Sequence, residues 1–244
     1  MERVPSGVRY LDRELGGGFA AGSLILLEYD TGSPSDLFLR DFVRAGLENG
    51  EYCWVLSIMH SPRLIAEDEK ALKSGQLTLI DGFTNAHGWK EVRGREKHRV
   101  NCIDNTKSVH DAMRKATERI PEGSQVRGVF DSLTPVYTAM CTMENEVPNL
   151  IDVVGGFLHL QSVLAKEYGS CTAYTVHKPS HVRNPDIVGY LEHVSDYVLD
   201  MSVERAGKGY RDLFAVKKVR GAQASGRVYK LEQARGRMSL RAMQ

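Results

Sequence analysis

The residues of this chain that could do chemistry are few and scattered. The densest group lies between Asp81 and Ser108, where Lys90, Arg93, Arg95, Lys97 and Arg99 are interleaved with Trp89 and His98. Cations alternating with aromatics can neutralise phosphates and stack on bases, so the stretch is a candidate for single-stranded nucleic acid; an exposed surface loop has the same composition. A second basic region follows: from Val203 to Gln244 eleven Lys/Arg stand against three Asp/Glu, which leaves residues 1–202 acidic. Such a region can meet phosphates of a nucleic acid, or of a nucleotide held by a neighbouring subunit, or it is a solvated face. The four cysteines (Cys53, Cys102, Cys141 and Cys171) are at least 30 residues apart. They form no CxxC pair and read as buried free thiols in a reducing compartment. No serine nucleophile elbow, zinc-ligand cluster or dinucleotide fingerprint is present, and no metal is expected.

The elements that must position these residues alternate between strand and helix. Apolar runs of strand length occur at Ser23–Tyr29, Tyr52–Ile58, Leu77–Ile80, Val126–Asp131 and Cys171–Val176. Helical spacing fits Ser35–Asn49, Ser61–Lys73, Ser108–Arg119 and Leu150–Tyr168, the last followed by Gly169 where a terminating glycine belongs. Ahead of the first of these helices, Ser33-Pro34-Ser35-Asp36 reads as a helix start. Ser33 is the cap, Pro34 sits in the first turn and Asp36 lies near the positive end of the helix dipole. After Pro185 the texture changes to strands at Tyr197–Val203, Arg211–Lys217, Arg227–Lys230 and Arg237–Leu240. This order predicts an α/β fold: a mostly parallel central sheet with helices on both faces and antiparallel strands at the carboxyl end. A single domain over residues 1–244 is expected, without internal repeats or linkers.

At 244 residues with 42 % hydrophobic and 26 % charged side chains, the composition is that of a folded globular chain with a substantial core. No apolar run reaches the roughly 20 residues of a membrane span, and the opening MERVPSGVRY has no apolar stretch of signal type. A cytoplasmic location without membrane contact is the expectation.

The segment SGVRYLDRELGGGFAAGSLILLEYDTGS resembles the RecA superfamily, in particular its KaiC-like and RadA-like ATPases common in archaea. The landmarks are Gly7 to Asp12, the glycines Gly16 to Gly18, and Gly22 leading into a strand and a P-loop. LTLIDGF, RGVFDSL and DLFAVKKVRG follow in the family order, the second as a Walker B strand ending in Asp131. The resemblance implies a RecA-like P-loop NTPase fold. It also implies that Lys218 and Arg220, within the Lys-x-Arg-Gly element, face a neighbouring subunit.

The departures bear on activity. A phosphate loop has the form GxxxxGK[ST], with glycine N–H groups and a lysine on the phosphates and a hydroxyl on Mg²⁺. Aligned on the following helix, those eight positions hold Tyr29, Asp30, Thr31, Gly32, Ser33, Pro34, Ser35 and Asp36. Pro34 removes an N–H donor, Ser35 replaces the lysine and Asp36 replaces the magnesium ligand. Met59 and His60 stand where the family carries glutamates, and His177 stands where such folds often place a phosphate sensor. By this resemblance the chain is a pseudo-ATPase with a degenerate Walker A motif, for which no cofactor is expected and residual ATP or ADP binding would be weak. Its expected role is regulatory or scaffolding, in a homo-oligomer or beside an active RecA/KaiC-like homologue. The accessory ring of Elongator, built of RecA-like subunits lacking these motifs and binding tRNA, is the precedent. The alternatives are a nucleic-acid-binding RecA-like module and a weak ATP-binding signalling or recombination ATPase.

Overall fold

The structure, a computed structural model, describes residues 2–86, 97–100, 106–142, 150–178 and 185–243. A short ribbon of β1 (Arg3–Val4) and β2 (Phe19–Ala20) brackets helix α1 (Arg9–Glu14). Then come β3 (Leu24–Tyr29), α2 (Ser35–Glu48), β4 (Tyr52–Ser57), α3 (Glu69–Ser74), β5 (Leu77–Asp81), α4 (Phe83–Ala86) and β6 (His98–Arg99). The next elements are α5 (Thr106–Thr117), β7 (Val126–Asp131), α6 (Leu133–Thr142), α7 (Leu150–Tyr168), β8 (Cys171–His177) and α8 (Pro185–Val194). The described chain closes with β9 (Tyr197–Ala206), β10 (Gly209–Val219), β11 (Val228–Ala234) and β12 (Arg237–Ala242).

Among the described residues ten strands form one sheet, in the order β12-β11-β10-β9-β3-β8-β7-β4-β5-β6. From β9 through β3 to β6 the pairing is parallel; from β9 to β12 it is antiparallel. The central strands are buried almost throughout because both of their faces are covered. On β3, Ile25, Leu27 and Tyr29 join one core with Phe38 and Phe42 of α2. Leu24 and Leu26 join the other, with Met113 of α5, Leu133 of α6, Leu158 of α7 and Leu191 of α8. The period of two along a strand thus sorts its side chains between two helical layers. Cys53 and Cys171 are buried free thiols, and burial pushes both up to about 12. Cys102 and the side chain of Cys141 lie outside the described residues. No described helix is long and apolar enough to cross a membrane.

One of the expected elements differs. The helix expected over Ser61–Lys73 is a single tight turn, Pro62–Leu64, followed by α3 from Glu69. The break comes from Asp68, whose carboxylate accepts the N–H groups of Lys70 and Ala71 and so starts a new helix. Ahead of the expected strands lies α8, an element the sequence reading does not contain, where Ile187, Val188 and Leu191 make a helical apolar stripe against the sheet. In addition, α6 begins two residues after Asp131 and has no counterpart among the expected helices.

Candidate functional site at the carboxyl edge of the sheet

In an open parallel sheet, ligands bind beyond the carboxyl ends of the strands. Here Tyr29, Ser57, Asp81, Asp131 and His177 occupy those ends, on β3, β4, β5, β7 and β8. Asp131 is almost wholly buried. Its Oδ1 accepts the Thr175 hydroxyl at 2.7 Å and its Oδ2 accepts the Ser57 hydroxyl at 3.3 Å. His60 Nε2 stands 3.4 Å from the same Oδ2, and His60 Nδ1 is 3.3 Å from Ser57 Oγ. Burial pushes the Asp131 carboxyl above its usual range, against the opposing pull of the Thr175 hydroxyl and the His60 ring. Burial, together with the Asp131 charge, raises Tyr29 as well. The ring of His177 meets Tyr29 edge-on at 4.4 Å, while the backbone N–H of His177 donates to Thr134 Oγ1.

The loop from Tyr29 to Asp36 is held by its own chain. Asp30 accepts the Val203 N–H at 2.9 Å on one oxygen, and the Lys178 ammonium stands 3.5 Å from the other. Lys178 reaches Asp200 at 2.8 Å as well. Gly32 adopts φ +91°, a conformation that favours glycine. Ser33 is not the helix cap the sequence suggests. Its hydroxyl donates to the Asp30 carbonyl and its own carbonyl accepts the Ser35 N–H, so the serine closes the turn. Pro34 precedes the helix instead, and α2 starts at Ser35 without a side-chain cap. Asp36 lies in the first turn of α2 and pairs with Arg40 one turn on.

Lys218 and Arg220 converge on the end of α8 in the same chain. Lys218 Nζ donates to the carbonyls of Glu192 and His193 at 2.7 and 2.9 Å. Arg220 donates to the carbonyls of His193, Val194 and Ser195 and pairs with Asp196 at 2.6 Å. Cations at a helix C-terminus satisfy its orphan carbonyls and complement its dipole. Lys217 joins them by bridging Glu192, at 2.6 Å, to the buried Glu28, at 2.7 Å. Burial pushes Glu28 up to about 7, and its Oε1 has no hydrogen-bond partner.

Of the basic loop, Lys90, Arg93 and Arg95 lie outside the described residues; Lys97 is exposed just ahead of β6, at the far sheet edge. Among the described residues no cluster of three His, Cys, Asp or Glu has metal-binding geometry. A cavity of about 510 Å³ opens away from this edge, at the C-terminal end of α2, with Arg9, Asp12, Glu48 and Arg237 in its wall.

At the opposite end of β7 lies a feature the sequence does not announce. Arg127 is fully buried and forms a two-armed pair with Glu51 at 2.6 and 2.9 Å. Its third nitrogen donates to the carbonyls of Pro5 and Phe42, and the guanidinium lies over the Phe42 ring at 4.5 Å. Gly46 makes room for it, since a Cβ there would come within 2.8 Å of Arg127 Nε. The one available signal is an arginine inside the apolar run VRGVFD.

The model of DUF7125, a family of unknown function, matches residues 3–236. A UPF0273 protein of Thermotoga maritima is 22 % identical over 95 % of this chain and 93 % of its own length. Circadian clock protein KaiC3 of Synechocystis is 39 % identical over 137 residues, 54 % of this chain and 24 % of that one. Among solved structures, a KaiC-like protein of the archaeon Pyrococcus horikoshii superposes with a TM-score of 0.72 at 19 % identity, covering 98 % of both chains. The fold is therefore the RecA/KaiC type expected from the sequence.

Proposed function

The chain belongs to the DUF7125 family, and from its own residues we propose that it is a non-catalytic RecA/KaiC-like protein, a pseudo-ATPase that serves as a regulatory or scaffolding subunit of a cytoplasmic oligomer. The observation that carries this reading is the self-sufficiency of the loop at Tyr29–Asp36. A nucleoside triphosphate needs uncommitted N–H donors and a cation at that loop, and a hydroxyl or carboxylate free for its Mg²⁺. Pro34 has no N–H to give. The nearby cations, Lys178 and Arg40, are already paired, with Asp30 and Asp200 in one case and Asp36 in the other. Asp131 is already engaged by the hydroxyls of Thr175 and Ser57 and by His60. A polyphosphate arriving here would meet the carboxylates of Asp30 and Asp36, with no unpaired cation beside them among the described residues. The residues therefore do not fit the nucleotide, and no catalytic step is assigned to them.

Loss of nucleotide leaves the assembly surface as the remaining use of such a fold. The test is the solution mass of the full chain by light scattering, with and without ATP·Mg²⁺. The expected result is an oligomer, with itself or with a homologous subunit, whose mass does not respond to nucleotide. A single-chain mass at high concentration with no homologue co-purifying, or assembly that requires ATP, contradicts the proposal.

A further inference from the structure

The basic stretch after Val203 is mostly consumed inside the fold. Arg211, Lys217, Arg220, Lys230 and Arg237 are ion-paired, and Lys218 caps α8. Arg205, Lys208, Arg227, Arg235 and Arg241 have no ion pair among the described residues, and of these only Arg205 and Lys208 lie on the β9–β10 hairpin. Both are exposed. Between them and Tyr210 lies only the turn of the β9–β10 hairpin.

The hairpin projects past its neighbours. β9 follows β3 only as far as Met201, and β11 follows β10 only as far as Leu213. Residues 204–206 and 209–211 therefore form a two-stranded ribbon with no strand on either side among the described residues. It leaves the carboxyl edge of the sheet next to the loop anchored by Asp30 and Val203. In the register Tyr210 lies directly opposite Arg205, so the two share a face, with Lys208 in the turn beyond them. The other face carries the Arg211–Glu204 pair at 2.9 Å and is neutral. Asp212, opposite Val203, is the acid on the Tyr210 face, on the rung nearer the sheet. Tyr210 is 78 % exposed, the most open of the large apolar side chains of the described chain.

We propose that this ribbon is a docking surface for single-stranded nucleic acid, with a base stacked on Tyr210 and flanking phosphates neutralised by Arg205 and Lys208. An exposed ring beside two uncommitted cations supplies the two contacts that sequence-tolerant single-strand binding uses. A duplex hides its base faces and gives the ring nothing to stack on. An acidic peptide would use the cations but not the ring. This surface is separate from the loop at Tyr29–Asp36 and is independent of whether that loop binds nucleotide.

The test is fluorescence anisotropy of the full chain with labelled oligo(dT) and oligo(U) strands of about 20 nucleotides, across a salt series. Binding to at least one of the strands is expected, and the two arms distinguish DNA from RNA. Tyr210→Ala should weaken it by about tenfold or more, and Tyr210→Phe should restore it. Arg205→Gln with Lys208→Gln should lower the slope of log affinity against log salt by about 1.4, from two lost phosphate contacts. Circular dichroism confirms that the variants fold, which the exposed position of all three residues favours. Absence of binding, equal affinity of Tyr210→Ala, an unchanged salt slope, or tighter binding of the matching duplex or of poly-glutamate would each overturn the proposal.

Discussion

Arg127 and Asp131 stand four residues apart on one strand, both buried, and their surroundings differ in kind. Arg127, at the amino end, has each of its nitrogens on an acceptor: the two oxygens of Glu51 and the carbonyls of Pro5 and Phe42. Opposite charge meets opposite charge, in a place water does not reach. Asp131, at the carboxyl end, is held by two neutral hydroxyls and one partly exposed histidine. Glu28, near the carboxyl end of β3, is similar, since one of its oxygens has no partner and burial pushes it up to about 7. The amino edge of the sheet is thus settled by complete pairing, and the carboxyl edge keeps acids at a cost. Burial of a charge therefore says little about its use; what matters is whether its partners are complete.

The largest expected effect tests the complete end. Arg127→Met leaves Glu51 as a buried carboxylate without its partner, and breaking such a pair from one side costs about 3–5 kcal/mol. Denaturant unfolding should register that loss, and the double variant Arg127→Met with Glu51→Leu should recover most of it. A loss below about 1 kcal/mol for the single change would show that the Arg127–Glu51 pair does not hold the amino edge.

A smaller effect tests the other end. Folded Glu28 stays protonated to about pH 7, whereas in the unfolded chain it ionises near its ordinary value of 4.5. Between these values the folded state binds the extra proton. The stability from this group is therefore fully present below about pH 4.5 and is lost as pH rises through about 7. Glu28→Gln removes that dependence. Relative to the parent chain, the variant should gain more than about 1 kcal/mol between about pH 5 and pH 7.5, read from denaturation midpoints across the range. Parallel pH profiles would show that Glu28 is ionised throughout and that the carboxyl edge is as well paired as the amino edge.

Much of the fold is legible in the sequence because its central strands are buried on both faces. SLILLEY and CTAYTV have no alternation to misread, and the antiparallel strands after Tyr197 follow from their texture. What the sequence hides is capping and pairing. Asp68 restarts a helix with one carboxylate, and Lys218 and Arg220 turn back onto the end of α8. Such contacts depend on which turn meets which strand, and no local spacing encodes that. The same holds at the candidate site. Asp131 is visible as the last residue of a strand, but Thr175, Lys178 and Val203 reach it or its neighbouring loop from β8, the residue after it, and β9. The Arg127–Glu51 pair is 76 residues apart in sequence and has no pattern of its own.

The acids and hydroxyls of the carboxyl edge stand where a nucleotide would lie if the chain bound one. Removing charge-assisted contacts to a polyphosphate costs about 1.5–3 kcal/mol each, so the absence of both the loop lysine and the magnesium hydroxyl lowers affinity on the order of a hundredfold or more. Isothermal titration calorimetry of the full chain with ATP·Mg²⁺ measures this directly. The expected result is no saturable heat at micromolar nucleotide. Saturable binding with micromolar affinity, with or without turnover that Asp131→Ala abolishes, would contradict the account.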